Sequence, residues 1–423
     1  MVLMNKLKRF IFVLIGMIVT FLIYEVVLEN RGIALFRVPE SERASTFSVM
    51  KNFRVFLGYN QASGQTGMLA EAQRSLGINS RCGIRESENF FGYNRCDQLS
   101  GDFWKIFKKI HKTADIFHIY VPLSGTFEDI LMLRAMGKCV VIQTAGDDVR
   151  LISEFVSHSP YHYMNDYLAK YKMTAKEHDE RKLRYTLAAF ATASGIIKTD
   201  EETPVDHGLY PVRHVLHQAF AIGTPFIGQS SKARPLLVHL PSNPMTKGSS
   251  WIQMSLESLS NDATLAFDYK IIMPPVAAAE VQMIWKEADI VVDQLRIGWF
   301  GCTAVDAMAL GKVVVLYLRP GVDAPLVRYQ HRLPVVNATR ETLVEELRKL
   351  IQNRTLREEI SEVARNYAVE YHNPERIAME SLAIYRDVCL RSPASVNCSV
   401  LDSLGIRTPF CKNGKWMPSL GLR

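Results

Sequence analysis

Residues 288–320 read ADIVVDQLRIGWFGCTAVDAMALGKVVVLYLRP. The apolar run ends in Asp293-Gln294, so the chain reads as a buried strand, Asp289–Leu295, leaving its carboxyl end into a loop. Gly298 and Gly301 punctuate that loop, Thr303–Leu310 reads as a helix, and Gly311 closes it before a second strand at Lys312–Leu318. Glycine lets backbone N–H groups come close to an anion, and a helix N-terminus adds partial positive charge. Asp306, one turn into the helix, can accept hydrogen bonds from ribose hydroxyls. A plain strand–helix–strand turn would need much the same residues, so spacing alone leaves an anion cradle and a structural turn as equal alternatives.

Outward from this stretch the alternation recurs. Arg54–Tyr59 (RVFLGY), Ala114–Val121, Cys139–Thr144 and Gly195–Lys198 read as strands, with helices across Thr66–Leu76, Phe127–Met136 and Ala175–Thr192. Residues 221–234 (AIGTPFIGQSSKAR) break the pattern and read as a linker. The series then restarts with strands Pro235–Leu240 and Phe267–Met273 and helices Ser250–Leu259 and Ala277–Ala288. Helices Glu341–Gln352, Leu356–Glu370 and Pro374–Cys389 follow. Strand–helix–strand units imply parallel sheets covered on both faces, and two such units joined by one hinge place a cleft at the carboxyl ends of their strands. The expected division is 51–225 for the first domain, 226–372 for the second, 373–391 for a closing helix and 392–423 for a Cys-containing tail.

The N-terminus stands apart. Phe10–Tyr24 is uninterruptedly apolar or small and continues past Glu25 to Leu28. Nineteen residues at 1.5 Å rise span roughly 28 Å, close to a hydrocarbon core. Lys6, Lys8 and Arg9 precede the run, and Glu25 and Glu29 follow it. The expectation is a cytoplasmic tail at 1–9, an uncleaved transmembrane anchor at 10–28, a stem at 29–50, and a body across the membrane. A cleaved signal peptide is the alternative, but no small-x-small site follows the run. Sequons at Asn337, Asn353 and Asn397 suit a translocated body.

Composition sets the outer bounds. The chain has 423 residues, 48% hydrophobic and 22% charged, which excludes a disordered or collagen-like polymer. Lys+Arg 50 against Asp+Glu 43 gives +7 without a basic tract interleaved with aromatics, which argues against a nucleic-acid binder. Seven cysteines are too few for a disulfide-built scaffold and show no zinc spacing. Cys82/Cys96 and Cys398/Cys411 lie in polar stretches and could pair in an oxidising lumen, while Cys139, in an apolar strand, and Cys302 are expected as free thiols.

Phe300-Gly301, Asp306-Ala307-Met308-Ala309 and Gly311-Lys312-Val313-Val314, in that order, resemble the donor-binding signature of the retaining family-4 glycosyltransferases. There, an FG-containing loop precedes an E-A-M-A helix and G-x-P-V-V. Asp306 stands where that family commonly has Glu, and Gly298 where it has its first Glu. Val238–Gly248 (VHLPSNPMTKG) is similar to the strand-loop that presents a basic pair to the donor diphosphate, with Lys247 in place and the companion Arg absent. In the first half, Asn60–Gly67 (NQASGQTG) follows a strand as the family's Gly-rich loop does. Asp115-Ile116-Phe117-His118 resembles its D-x-x-H strand end, and Gly146–Arg150 (GDDVR) a G-x-D-x-R motif, with Ala145 where a His is common.

The resemblance implies a GT-B fold: α/β, two Rossmann-like doubly wound parallel-sheet domains facing a cleft, here preceded by one transmembrane helix. It implies a retaining transferase moving a hexose from a nucleotide-sugar donor to a hydroxyl acceptor on a glycan, glycoprotein or glycolipid. His118, Asp148 and Arg150 are then the catalytic candidates. Gly64, Gly67, Asn243, Lys247, Met273, Gly298, Gly301, Thr303 and Asp306 are the donor-binding ones. No cofactor or metal is expected, because a helix dipole, amides and a lysine can stabilise a departing diphosphate. The partners expected are the nucleotide-sugar, the acceptor glycan or glycoconjugate, and the membrane. An impaired homologue that binds glycan or nucleotide-sugar without turnover is the alternative. The body belongs in a Golgi-like lumen, or, if the charge rule fails, on the cytoplasmic face of a bacterial inner membrane.

Overall fold

A computed structural model describes residues 38–60, 63–86, 95–120, 127–144, 151–153, 161–171, 174–198, 212–214, 225–274, 276–320, 333–390 and 396–417. Among them no helix is long and apolar enough to cross a membrane. The expected tail and anchor, 1–28, lie outside the described residues, as do Asp148 and Arg150.

The first unit begins with helix α1 (Glu40–Met50), followed by strand β1 (Arg54–Tyr59), helix α2 (Gln65–Ser75) and strands β2 (Asn79–Arg85) and β3 (Asp97–Leu99). Helix α3 (Phe103–Ile110), strand β4 (Ile116–Ile119), helix α4 (Glu128–Ala135) and strand β5 (Cys139–Thr144) come next. Helices α5 (Met164–Tyr171) and α6 (Ala175–Thr192) lead to strands β6 (Gly195–Lys198) and β7 (Val212–His214). The seven strands form one parallel sheet in the order β3-β2-β1-β4-β5-β6-β7. The central strands β4 and β5 are buried along nearly their whole length and mostly apolar, as strands covered by helices on both faces must be, with the polar His118, Gln143 and Thr144 toward their carboxyl ends. Local signals agree with this plan. Asp102 caps α3 by accepting from the Lys105 N–H, and Thr174 with Glu177 forms a capping box at the start of α6.

The second unit holds strand β8 (Leu236–His239), the short helix α7 (Pro244–Lys247), helix α8 (Ser249–Ser260) and strand β9 (Asp268–Ile271). Helix α9 (Ala278–Glu287), strand β10 (Ile290–Val292), helix α10 (Cys302–Ala309) and strands β11 (Val313–Leu316) and β12 (Val336–Asn337) complete its sheet, parallel in the order β12-β11-β10-β8-β9. Helices α11 (Leu343–Gln352) and α12 (Arg354–Tyr371) pack on it, α12 directly against α10. Helix α13 (Pro374–Leu390) then returns to the first unit and packs on α1 and α2. Helix α14 (Cys398–Ser403) follows it onto α6, with the hairpin β13 (Cys411–Lys412) and β14 (Lys415–Trp416).

Three readings change. The stem was expected to run to residue 50, but 40–50 is a helix that docks on α13. Arg386 joins Thr46 at 2.6 Å and Glu42 at 3.0 Å. The helix buries only Thr46 and Met50, so its sequence carries no strong apolar period. The linker is no free tether over 225–234. Asp289 accepts from the Ser230 N–H at 2.5 Å and its hydroxyl at 2.9 Å, and the Lys312 ammonium donates to Gly228 O at 2.8 Å. Cys139 is not a thiol. It is bonded to Cys389 and so ties β5 to α13, alongside the Cys82–Cys96 and Cys398–Cys411 disulfides.

Candidate functional site

β10 ends where Asp293 and Gln294 turn out of the sheet, and both are buried. Gln294 builds the loop that follows. Its Nε2 donates to Trp299 O at 3.0 Å and Tyr317 O at 2.7 Å, while Oε1 accepts from the N–H groups of Arg296 at 2.9 Å and Ile297 at 2.7 Å. Gly298 lies at φ +75°, where a side chain would strain the backbone and press on Arg319 and Tyr317. Its glycine is therefore explained by the turn. Gly301 is different: φ is −134°, and among the described residues a Cβ there would meet nothing within 4 Å. Packing against the described residues does not demand glycine at 301, and it leaves open space beside the N-cap of α10. Thr303 is the second residue of that helix, and Asp306, 7% exposed, follows one turn in.

Lys247 reaches this point from α7. Its ammonium lies 2.6 Å from Asp293 Oδ1 with both side chains buried, and its carbonyl accepts from the Leu295 N–H at 3.0 Å. Asp293 Oδ2 has no hydrogen-bond partner among the described residues. His239 closes the floor, with Nδ1 against Val292 O at 2.8 Å and Nε2 against the Ser249 hydroxyl at 2.7 Å. Burial lowers it to about 4, outweighing the Val292 carbonyl, so the ring is neutral at physiological pH. Asn243 has a structural task. Its Oδ1 caps α7 by accepting from the Met245 and Thr246 N–H groups at 3.0 and 3.1 Å.

The first sheet meets this constellation through α2. Gly64 is its N-cap at φ +84°, and Gln65, its first residue, donates from Nε2 to Cys302 Sγ at 3.6 Å. Gln65 and Cys302 each open a helix, so the two N-termini face one another across the crevice within one side-chain contact. Cys302, not being in a disulfide, keeps its thiol. Burial first, then Asp306, pushes that thiol up to about 12, with Lys247 opposing, which locates all three groups in one small volume. Tyr120, whose hydroxyl is raised first by burial and then by Tyr385, is also close enough to Cys302 to be raised by it.

The remaining candidates lie elsewhere. Gly67 is inside α2, where a Cβ would come within 2.7 Å of Arg95 Cβ, so close packing accounts for it. Met273, half-exposed, lies just past the edge strand β9. His118 is fully buried: its Nδ1 lies 2.5 Å from the Tyr385 hydroxyl and its ring stacks under Tyr120 at 5.3 Å. Burial lowers it to about 4 against a Gln143 hydrogen bond. In this structure it is packed under Tyr120 and has no exposed surface. Sequence reasoning missed Gln65, Tyr120, Asp293 and Gln294. The Asp-Gln pair at the strand end was the available signal, because polar groups buried at a strand's carboxyl end need a reason to be there.

Among the described residues no group of three or more His, Cys, Asp or Glu is gathered as a metal would require. No family model matches the chain. No curated protein matches it in sequence. Solved structures do resemble it. Sucrose-phosphate synthase from Thermosynechococcus elongatus is 14% identical with a TM-score of 0.52, over 80% of this chain and 99% of that one. The Anabaena protein HepE in complex with UDP-glucose is 13% identical with a TM-score of 0.53, over 79% and 99%. A glycosyltransferase from Rickettsia africae is 12% identical with a TM-score of 0.52, over 80% and 98%. At such identities the likeness is one of fold: two parallel α/β sheets in the GT-B arrangement.

Proposed function

We propose that this chain is a glycosyltransferase that moves a hexose, with retention of configuration, from a nucleotide-sugar donor to a hydroxyl on a glycan, glycoprotein or glycolipid. The observation that carries this reading is the convergence of two helix N-termini, α2 and α10, on an opening that also holds Lys247. Helix N-termini and an ammonium are what a departing diphosphate needs, since negative charge builds on it as the sugar becomes oxocarbenium-like. In this reading the amides of Cys302 and Thr303 and the Lys247 ammonium hold the diphosphate, and the open space at Gly301 admits it. Asp306 takes the ribose hydroxyls, Gly64 shapes the opposite wall, and Met273 borders the nucleobase. Asp148 and Arg150 remain the acceptor-side candidates, and Tyr120, seated on His118, lines the approach. The fold shared with HepE, solved with UDP-glucose, is consistent with a nucleotide-sugar donor.

A second reading, a homologue that binds donor or glycan without turnover, is favoured by one observation. The Lys247 ammonium is already neutralised by Asp293 at 2.6 Å. Calorimetric titration with UDP, UDP-glucose and GDP tests binding, and a donor-hydrolysis assay with a screen of sugar acceptors tests turnover. Binding lost in Asp306→Ala, together with turnover, supports the transferase. Binding without hydrolysis or transfer supports the second reading, and no binding of any nucleotide overturns both. Proton NMR of the first-formed product reads retention directly.

We also place the body in an oxidising, Golgi-like lumen behind a single N-terminal span. Three disulfides support that compartment, since structural disulfides are rare in reducing ones. Endoglycosidase treatment of the expressed protein checks it; unchanged mobility would favour a bacterial inner-membrane protein with its body in the cytoplasm.

A further inference from the structure

The other end of α2 carries a second polar feature, unconnected with the crevice. A cavity of about 820 Å³ is lined by the side chains of Arg74, Arg81 and Arg95 together with Asn79, Cys82 and Asp97. Arg74, in the last turn of α2, is oriented by donating from Nη1 to Ser80 O at 3.2 Å. Arg95 is paired with Glu71, and the neighbouring Cys82–Cys96 disulfide fixes β2 to the segment that enters β3. Arg81, on β2, is exposed, and its side chain has no hydrogen bond or ion pair among the described residues.

Arg74, Arg81 and Arg95 are all exposed, so water and salt screen their mutual repulsion, and what they bring to the hollow is an excess of guanidinium donors. The local carboxylates offset that excess only in part. Glu71 pairs with Arg95, and Asp97 is the one carboxylate among the lining residues. The carboxyl end of α2 adds partial negative charge, so attraction for an anion must come from the guanidiniums themselves. A guanidinium presents a planar fork of donors that grips two oxygens of a tetrahedral oxyanion at once, which a single ammonium cannot do. Nine residues of helix, roughly 14 Å at 1.5 Å each, separate Arg74 from Gln65 at the crevice. An anion here is therefore distinct from a diphosphate there.

We infer that the Arg74–Arg81–Arg95 hollow is a binding site for a phosphate or sulfate group, either free phosphate or an ester carried on a glycan. The site stands independently of the transferase reading. The test titrates the full chain, with UDP present in excess, against inorganic phosphate, a sulfated heparin tetrasaccharide and the same tetrasaccharide chemically desulfated. One or both charged probes bind, the desulfated sugar does not, and Arg81→Gln weakens binding about tenfold, as expected for loss of a charge-assisted fork. Arg74→Gln combined with Arg81→Gln abolishes it. Tighter phosphate assigns free phosphate, and a tighter sulfated sugar assigns a glycan ester. Arg81 supports no other residue, so Arg81→Gln keeps the wild-type melting temperature and UDP affinity. Failure of both charged probes to bind, equal binding of the desulfated sugar, or unchanged affinity in Arg81→Gln overturns the inference. Failure of UDP alone counts against the crevice reading, and the Arg81→Gln comparison still decides the hollow.

Discussion

Lys247 and Asp293 act as one unit, and neither can be altered without stranding the other. The pair is buried, 8% and 3% exposed, and Asp293 already has one oxygen without a partner among the described residues. Lys247→Met leaves a buried carboxylate uncompensated, which costs about 3–5 kcal/mol. Urea unfolding should show that loss, and UDP affinity should fall tenfold or more with it. Adding Asp293→Leu to Lys247→Met should recover most of the stability and none of the UDP binding. A single Lys247→Met variant as stable as wild type would mean that the pair is not buried as described. Cys302 gives a second test at this scale. With its thiol pushed up to about 12 by burial and then by Asp306, the thiolate fraction at pH 7 is on the order of 10⁻⁵. Iodoacetamide should label it slowly at pH 7, about tenfold faster per pH unit toward pH 9, and more slowly again with UDP bound. Rapid labelling at pH 7 would contradict the raised thiol.

Among the elements, α13 carries the largest consequence. It leaves the second sheet and packs on α1 and α2, where Gln73 Nε2 donates to the Ser381 and Tyr385 hydroxyls at 3.0 and 3.3 Å. Cys139–Cys389 then closes a loop of 250 residues, against 14 and 13 for the other two disulfides. In the chain-entropy account its closure contributes on the order of 5 kcal/mol, and the short ones about 3 each. Replacing Cys139 and Cys389 together by Ala should therefore lower the melting temperature more than removing either short bridge, as read by calorimetry. An equal or smaller drop would show that packing alone holds α13. This pairing was illegible in the sequence, because nothing local connects an apolar strand with a helix 250 residues away. Continuous apolar runs such as RVFLGY and VVVL were legible because strands covered on both faces need them. β3, three residues at the sheet edge, and its neighbour β2, NSRCGIR, were not, since an edge relaxes that demand on β3 and the polar residues of both read as loop. In the site, Gly301 and Asp306 could be read from a glycine before a helix. Lys247 was read through the resemblance alone, its buried partner lying 46 residues on, and the capping of α7 by Asn243 was not read.

Over the whole molecule, stability should depend on pH through one histidine in each sheet. His118 and His239 are fully buried, and burial holds both to about 4, whereas an unfolded histidine titrates near 6.5. Between pH 6.5 and 4 the unfolded chain takes up protons that the folded one refuses. Their stabilising contribution is therefore complete above pH 6.5 and is lost as pH falls through that window, by roughly 3 kcal/mol for each ring. Glu380 runs the other way. Burial lifts its carboxyl to about 7 against the pull of Arg376, so the folded state keeps a proton that the unfolded state releases. Its contribution grows as pH falls from 7 toward 4.5 and offsets part of the loss. The expected outcome is a urea midpoint lower at pH 5 than at pH 7.5 in the wild type, a steeper fall in Glu380→Gln, and a shallower one in His118→Gln. Imidazole C2 proton resonances of both histidines should stay at their neutral positions down to pH 5. If Glu380→Gln instead holds its midpoint from pH 7.5 to 5, the two rings are not sealed in the cores of their sheets. The support of Tyr120 by His118, and of the crevice floor by His239, would then have to be abandoned with them.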